Sequence, residues 1–397
     1  SKNLLKSTII KHYIPYFIIG LFYIAIRFFV IGVRGRIEEY LAGNFFLTML
    51  TMLKVYVYYI YLLIFPINLT LFHDIIPATS IFNPKVLISA LILTAIIFFT
   101  LKYNKNKILF FSVFWFFIAL IPFSNLLPLQ VFMAERYLYV PSIAFSLLAS
   151  YFLFTIFNYD FKNINKNIVR YGVMIFIVLL ICFYVFSTVN RNKDWRDDLT
   201  LWSKTVDTNP NNSMAHDNLG FTYERSGDDA TALEEFNLAV KLQPDNFRAL
   251  ANLGVVLAKL GAYNESIAVL KKSIEARPYH KTYDKLGLVY AKLNMEEKAI
   301  ESFKEAIKIN PRYAKAHNDL AAVYGRIGEF DLAMQEFDEA IRIDRDYADA
   351  YYNSALIYEF LKDNKKAENL LVKALEIEPD NKNARDKLDF LKSINTI

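Results

Sequence analysis

Cysteine is almost absent, since Cys182 is the single cysteine among 397 residues. An internal disulfide and a multi-cysteine metal site are therefore excluded. The five histidines are scattered over both halves of the chain: His12, His73, His216, His280 and His317. This spread argues against a histidine-rich metal centre. The sequence also lacks a phosphate-binding glycine-rich loop, a Gly-x-Gly-x-x-Gly motif and a His-Glu-x-x-His motif. We predict no metal site, and no cofactor is evident.

Acidic residues are scarce in the first half of the chain. Residues 1–190 contain 15 Lys and Arg but only 5 Asp and Glu, a net charge of +10. The remaining residues contain 30 basic and 35 acidic side chains, a net charge of −5. The basic excess lies beside apolar segments, where it is typical of membrane proteins. The overall charge of +5 therefore does not indicate a nucleic-acid partner, and we predict none.

Long apolar runs dominate residues 1–190. With 54% hydrophobic residues, the chain is too apolar for a wholly soluble protein. About 20 apolar residues in a helix span the hydrocarbon core of a bilayer. Six runs are candidates for such helices: residues 13–33, 45–65, 86–101, 108–126, 139–157 and 171–189. We predict an all-α protein whose residues 1–190 form a polytopic transmembrane bundle, with membrane lipid around it.

The loops between these runs differ in charge. The first, third and fifth loops contain eight Lys and Arg, whereas the second and fourth contain only Lys85 and Arg136. Because basic loops tend to stay in the cytoplasm, the second and fourth loops are expected on the outer face, together with the C-terminal half. Three N-terminal lysines, Lys2, Lys6 and Lys11, favour the opposite orientation. We predict an integral membrane protein whose C-terminal domain is extracytoplasmic.

The two sparsely charged loops carry the candidate site residues. Glu135 and Arg136 adjoin Tyr137 and Tyr139 at the head of a predicted helix. A guanidinium presents a planar fork that suits phosphate oxygens, and a neighbouring carboxylate can hold it in place. The alternative is an interfacial arginine that its neighbour neutralises. In the other loop, His73 and Asp74 form a candidate outer-face pair, for which a simple interfacial turn is the alternative.

Residues 134–142, Ala-Glu-Arg-Tyr-Leu-Tyr-Val-Pro-Ser, follow Pro-Phe-Ser-Asn-Leu-Leu-Pro at 122–128. Together these segments resemble the end of the membrane part in the transmembrane-and-TPR proteins. Residues 27–32 and 66–74 also resemble segments of that family, in the same order. The family belongs to the GT-C class of lipid-phosphosugar-dependent glycosyltransferases, whose eukaryotic members are O-mannosyltransferases.

The resemblance implies a polyprenyl-phosphate sugar as donor substrate and a protein hydroxyl as acceptor. It implies that Arg136 contacts the donor phosphate, that Glu135 orients Arg136, and that Tyr137 and Tyr139 border the lipid groove. GT-C enzymes carry an acidic catalytic residue in a large outer loop near their N-terminus, and nothing in this sequence corresponds to that loop. On this resemblance the chain is expected to be the C-terminal part of such an enzyme, and we assign no catalytic residue.

The second half of the chain is an internal repeat. Helix-breaking or turn residues recur every 33 or 34 residues, at Pro210, Pro244, Pro278, Pro311, Arg345 and Pro379. Each unit has a large residue in register: Phe236, Leu270, Phe303, Phe337 and Leu371. Small residues precede and follow it, which lets paired helices approach closely. This is the tetratricopeptide (TPR) pattern, and it predicts an α-solenoid.

The period also sets the predicted domain boundaries. We predict the membrane domain at 1–190 and a junction with a half-repeat helix at 191–212. Five TPR repeats follow at 213–381. A capping helix is expected at 382–397, because a terminal repeat otherwise exposes its apolar face.

Solenoids of this type bind extended peptides or proteins on the surface formed by the first helix of each pair. Polar residues stand one place before each Leu-Gly or equivalent pair: Asn218, Asn252, Lys285, Asp319 and Asn353. Their side chains are candidate peptide ligands, although they could equally satisfy helix ends or bind water.

Three functions fit these features. In the first, the protein is part of a glycosyltransferase whose repeats hold the acceptor. In the second, it is a non-catalytic, membrane-anchored scaffold for protein partners. In the third, which is the weakest, it assembles polysaccharide and binds carbohydrate in the groove of the repeats.

Overall fold

The computed structural model describes residues 44–67, 69–71, 73, 75–126, 133–162 and 164–395. These residues contain seventeen α-helices and no β-strand, so the protein is all-helical as predicted. The chain divides into two compact units, Ser1–Arg196 and Asp197–Ile397. The predicted first membrane span, at 13–33, and Asp74 lie outside the described residues.

Five α-helices form the described part of the first unit. They are α1 (Phe45–Ile64), α2 (Pro84–Lys102), α3 (Lys107–Leu120), α4 (Pro141–Asn158) and α5 (Lys166–Asp194). Four of them, α1, α2, α4 and α5, are long and apolar enough to cross a membrane. Several begin at polar residues that cap free backbone N–H groups. For example, the side chain of Asn44 accepts a hydrogen bond from the Leu47 N–H at the start of α1.

Two helices differ from the predicted spans. Helix α3 ends at Leu120 and continues only as a 3-10 turn, Ile121–Phe123, because Pro122 has no N–H to extend the helix. The predicted span reached residue 126. Helix α5 runs to Asp194, so residues 191–194 of the predicted junction are helical. Arg191 and Lys193 in its last turn favour this extension, because cations stabilise the negative end of a helix dipole.

The bundle packs its core around α1. Met52, Val55 and Tyr59 of α1 are buried against Phe116 of α3 and Met133 of the loop that follows it. By contrast, Val173 is the only buried residue of α5. Apart from the side chains that face α4, most apolar residues of α5 are exposed in the described part of the bundle, which suits a helix that faces lipid.

Twelve helices form the second unit. They are α6 (Asp198–Thr208), α7 (Ser213–Ser226), α8 (Asp229–Leu242), α9 (Phe247–Lys259), α10 (Tyr263–Ala276), α11 (His280–Lys292), α12 (Glu296–Ile309), α13 (Ala314–Arg326), α14 (Phe330–Ile343), α15 (Ala348–Phe360), α16 (Asn364–Ile377) and α17 (Lys382–Asn395). The five antiparallel pairs from α7 to α16 are the TPR repeats. Helix α6 packs against α7, and α17 packs against α16.

Small residues allow the two helices of a repeat to approach closely. A Cβ atom on Gly287 of α11 would stand 2.7 Å from Cε1 of Phe303 on α12. Phe303 is fully buried, as are Phe236 and Phe337 at the equivalent positions. The first helices of successive repeats also contact each other, from α7 through α9, α11 and α13 to α15. They form one continuous inner surface along the solenoid.

Candidate functional site

Two loops and a helix end converge at one end of the bundle, around the carboxylate of Glu135. The backbone N–H of Thr70 donates to Glu135 Oε1 over 2.5 Å. His73 Nε2 lies 3.3 Å from Oε1, and a terminal guanidinium nitrogen of Arg191 lies 3.5 Å from Oε2. Residues on the second loop, the fourth loop and α5 therefore share one end of the bundle, as the alternation of loops predicts.

This cluster is largely removed from solvent. The side chains of His73 and Arg191 are 6% and 13% exposed, and that of Glu135 is 23% exposed. Arg191 also pairs with Asp194 at 3.1 Å and lies over the ring of Trp195. A carboxylate held by one backbone donor and two side chains is rigid. Glu135 therefore fastens the loop of residues 65–83 and the end of α5 to the loop that carries Arg136.

Arg136 has a different environment from Glu135. Its side chain is exposed, and its guanidinium carbon lies 5.2 Å from the ring centre of Tyr137. Tyr137 in turn stacks on Phe123 with the ring centres 4.1 Å apart, and Tyr139 is 81% exposed. Among the described contacts, none pairs Arg136 with Glu135, so the expectation that Glu135 orients Arg136 stays a prediction. The aromatic stack lies against the Arg136 guanidinium.

An apolar groove lies between α4 and α5. It has a volume of about 600 Å³ and runs from Ser142 past Phe145 to Phe157, with Tyr184 on its opposite wall. The Tyr184 hydroxyl donates to the backbone carbonyl of Leu63 over 2.7 Å, which fixes the end of α1 beside α5. Ser142, which lines the groove, follows Tyr139 by three positions and Arg136 by six positions in the chain.

The predicted peptide-binding residues of the first repeats form a hydrogen-bonded chain across the inner surface. The Asn252 amide donates to Asp217 over 2.9 Å, and Lys285 Nζ donates to the Asn252 carbonyl oxygen over 3.0 Å. Asn218 differs, because its amide donates to the Met214 carbonyl of its own helix over 2.7 Å. Their side chains border a cavity of about 390 Å³.

A second hydrogen-bonded chain crosses the later repeats. Lys315 Nζ donates to Asp284 over 2.8 Å and to Asp319 over 2.6 Å. The Asn318 amide donates to Asp319, and the Asn353 amide donates to Asn318, each over 3.0 Å. Asp319 and Asn353 therefore lie in one polar network on the inner surface.

Burial changes the acidity of the carboxylates in these networks. It raises the pKa of Asp284 to about 6, although the nearby Lys315 opposes the rise. Burial also raises the pKa of Asp217 above its ordinary value. Burial alone would lower the pKa of Lys315, but the carboxylates of Asp319 and Asp284 outweigh it and the pKa is raised. Lys315 is therefore a fixed positive charge between two carboxylates.

Several site residues have no counterpart in the sequence prediction. These are Arg191, which the sequence places in a polar junction, and Asp217, Asp284 and Lys315 in the repeats. The repeat period contains a signal for two of them, since Asp217 and Asp284 occupy the same position, one place before Asn218 and Lys285. Arg191 has no such signal, because its partner Glu135 is distant in the chain.

The two histidines of the first helices are buried, and both ring nitrogens of each have a polar partner. His216 Nδ1 lies 2.6 Å from Glu235 and His317 Nδ1 lies 2.6 Å from Glu336. The Nε2 atoms face the carbonyls of the preceding turn, at Pro210 and Pro311. The described residues contain no group of three His, Cys, Asp or Glu that could hold a metal ion.

Comparisons with known proteins agree with this architecture. Three tetratricopeptide-repeat family models match the second unit, at residues 199–281, at 287–328 with 326–360, and at 348–381. Protein O-mannosyl-transferase TMTC3 of Mus musculus is 28% identical over 239 residues, which is 55% of this chain and 25% of that protein. This is a TPR-containing protein similar to the TMTC O-mannosyl-transferases. Protein O-mannosyl-transferase F38B6.6 of Caenorhabditis elegans is 28% identical over 203 residues, 50% of the TMTC-like chain and 28% of the relative.

The TMTC-like chain spans about a quarter of the length of these curated relatives. Among solved structures, a thermophilic TPR protein of Thermus thermophilus, TTC0263, has 26% identity and a TM-score of 0.42. It aligns with 45% of this chain and 98% of its own. MamA has 29% identity and a TM-score of 0.36, over 41% of this chain and 95% of its own.

Proposed function

We propose that the TMTC-like protein takes part in transferring a sugar from a polyprenyl-phosphate donor to a hydroxyl group of a protein acceptor. Relatives that bear the name O-mannosyl-transferase support this reaction class. The observation that carries the proposal is the exposed guanidinium of Arg136, which lies over the ring of Tyr137 and precedes Ser142, a lining residue of an apolar groove, by six positions in the chain.

The arrangement suits a donor with a charged head and a long apolar tail. Arg136 can bind phosphate oxygens through its planar fork. The exposed ring of Tyr139 can cover the first isoprenoid units, and the groove between α4 and α5 can accept the chain that follows. Glu135, paired with His73 and Arg191, acts as a positioning residue that holds the Arg136 loop in place. In this proposal the described residues supply donor binding, and the catalytic residue remains unassigned.

The solenoid is proposed to hold the acceptor. TPR folds bind proteins and peptides, and the two polar networks offer amide and charged groups along an extended inner surface. A partner that lies across several repeats can form hydrogen bonds through its backbone to Asn252 and Asn353.

We further propose that the solenoid is extracytoplasmic, as the low charge of the second and fourth loops predicts. Protease added to sealed, right-side-out vesicles is expected to digest the repeats and to spare the bundle. Full protection of the repeats until the vesicles are opened would contradict this orientation.

The test of the donor site is Arg136→Ala, assayed as sugar transfer by membranes that contain the protein. The expected result is a loss of about 100-fold in transfer, because one charged donor to the phosphate is removed. Arg136→Lys is expected to lose less, since it keeps the charge but not the fork.

Arg170→Ala is the matched control. Arg170 also lies over an aromatic ring, that of Phe157 at 5.1 Å, but at the start of α5 and thus at the opposite end of the bundle. Its removal is expected to leave transfer unchanged. If Arg136→Ala and Arg170→Ala have the same activity as the parent protein, Arg136 does not bind the donor. If the parent protein shows no transfer with any polyprenyl-phosphate sugar, the scaffold function replaces the proposal.

A further inference from the structure

The inner surface of the solenoid changes charge at helix α11. On the side of the first repeats, Arg248, Lys281 and Lys285 line the cavity together with one carboxylate, Asp217. Among these lining residues the positive charges exceed the negative ones by two, and the nearby carboxylate of Glu224 is paired with Lys259. On the side of the later repeats, Asp284, Asp319 and Asp349 accompany one cation, Lys315.

The positive side has room and free donors for an anionic group. Lys285 Nζ uses one of its hydrogen bonds on Asn252, and an ammonium group has three N–H donors. Lys281 is exposed, and the described part of the solenoid contains no ion pair to it. Phe247 and Tyr279, whose ring centres lie 5.7 Å apart, form an apolar wall of the same cavity.

On the negative side, which belongs to the later repeats, one carboxylate oxygen lacks a hydrogen-bond partner among the described residues. The Asp284 side chain is 4% exposed, and its Oδ1 atom has no hydrogen-bond partner among the described residues. An unsatisfied buried carboxylate oxygen costs free energy, so a cationic group that reached it would be favoured. Asp349 is exposed at the start of α15 and has no ion-pair partner in the described part of the solenoid.

We propose that the solenoid binds an extended peptide segment of fixed charge polarity, with an acidic residue in the cavity beside Lys281 and Lys285 and a basic residue beside Asp284 and Asp349. This rests on the proposed role of the repeats in holding the acceptor, and it adds which sequences are held and in which direction. A segment that lies in the reverse direction brings like charges together, which opposes binding.

The helix spacing sets the separation of the two charges. Packed helices are about 8–10 Å apart, and an extended chain advances about 3.3 Å per residue. The centres of the two sides are separated by about one to two helix spacings. An acidic and a basic residue about 3–6 positions apart therefore fit both sides at once.

The experiment uses the full chain in detergent and two fluorescent peptides of the same composition. In the first, an aspartate pair and an arginine pair are separated by neutral residues, with spacers of about 3–6 residues. In the second, the aspartates and arginines alternate, so that neither end of the peptide carries a net charge. Fluorescence anisotropy is expected to show that the peptide with separated charges binds about tenfold more tightly than the peptide with alternating charges.

Charge reversals on the inner and outer helices identify the site. Lys281→Glu and Asp349→Lys are each expected to weaken the preferred peptide by about three- to tenfold. The controls Lys271→Glu on α10 and Asp338→Lys on α14 change the same charges on second helices, and no effect is expected. Equal binding of the two peptides, or equal effects of inner and outer reversals, overturns the charge polarity and leaves the acceptor-holding role intact. Failure of both peptides to bind overturns both.

Discussion

Replacing Glu135 by alanine is expected to lower the free energy of unfolding of the first unit by about 2 kcal/mol. The change leaves the Thr70 N–H without its acceptor and removes a carboxylate from beside two buried side chains, His73 and Arg191. Arg191 keeps its ion pair with Asp194 and the Glu135 side chain is 23% exposed, so the loss is smaller than for a buried charge that is left wholly unpaired. Detergent-induced unfolding, followed by circular dichroism, measures it.

A double-mutant cycle tests the origin of this loss. Arg191→Ala in the Glu135→Ala background removes the second partner of the same interaction, so the double variant is expected to be more stable than the sum of the single losses predicts. Glu135→Gln keeps an acceptor for the Thr70 N–H and is expected to lose less. Strictly additive losses would show that Glu135 and Arg191 do not interact, and that the loop and α5 are held by other contacts.

Phe303→Ala is expected to lower the free energy of unfolding of the second unit, which contains the solenoid, by about 3–5 kcal/mol. The ring is fully buried in the central core of the solenoid and packs directly onto Gly287. Neither the glycine nor the adjacent helix can fill the space, so a cavity remains in addition to the lost transfer free energy. Because each repeat is stabilised by its neighbours, the loss is expected to reach the adjoining repeats. Urea unfolding of the full chain in detergent measures it.

Phe390→Ala on the terminal helix α17 is the control. This ring is 53% exposed, so its truncation removes little buried area and is expected to cost less than about 1 kcal/mol. If Phe303→Ala and Phe390→Ala lower the free energy of unfolding equally, the burial of Phe303 does not stabilise the solenoid by the expected amount.

The periodic part of the fold could be predicted in detail from the sequence. The sequence repeats every 33 or 34 residues, with small and large side chains at fixed positions in each repeat. This pattern predicts antiparallel helix pairs, and the five pairs from α7 to α16 have this arrangement. The membrane helices were predictable from their apolar composition, because the bilayer constrains their length. The ends of these helices were not predictable from composition. Helix α3 stops before Pro122, and α5 continues through a polar segment that composition alone assigns to a junction.

The candidate site was only partly predictable. Arg136, Tyr137 and Tyr139 adjoin each other in the chain, so the sequence shows them as a group. The interaction of Glu135 with His73 and Arg191 joins residues that are far apart, and depends on how α1, α4 and α5 pack. In the solenoid the period predicts that Asn252 and Lys285 share a surface. It does not reveal that Asp217 is the acceptor for Asn252, because that contact depends on rotamers of neighbouring repeats.

By itself, the sequence determined that this protein has an apolar helical part and a TPR solenoid, because both follow from local periodicity and composition. Tertiary structure decided which charges meet. The geometry of the helices brings Glu135 to Arg191 rather than to its chain neighbour Arg136, and separates the cations near Lys285 from the carboxylates near Asp319. Pairing energies depend on distance and burial in three dimensions, and neither quantity is contained in the order of residues along the chain.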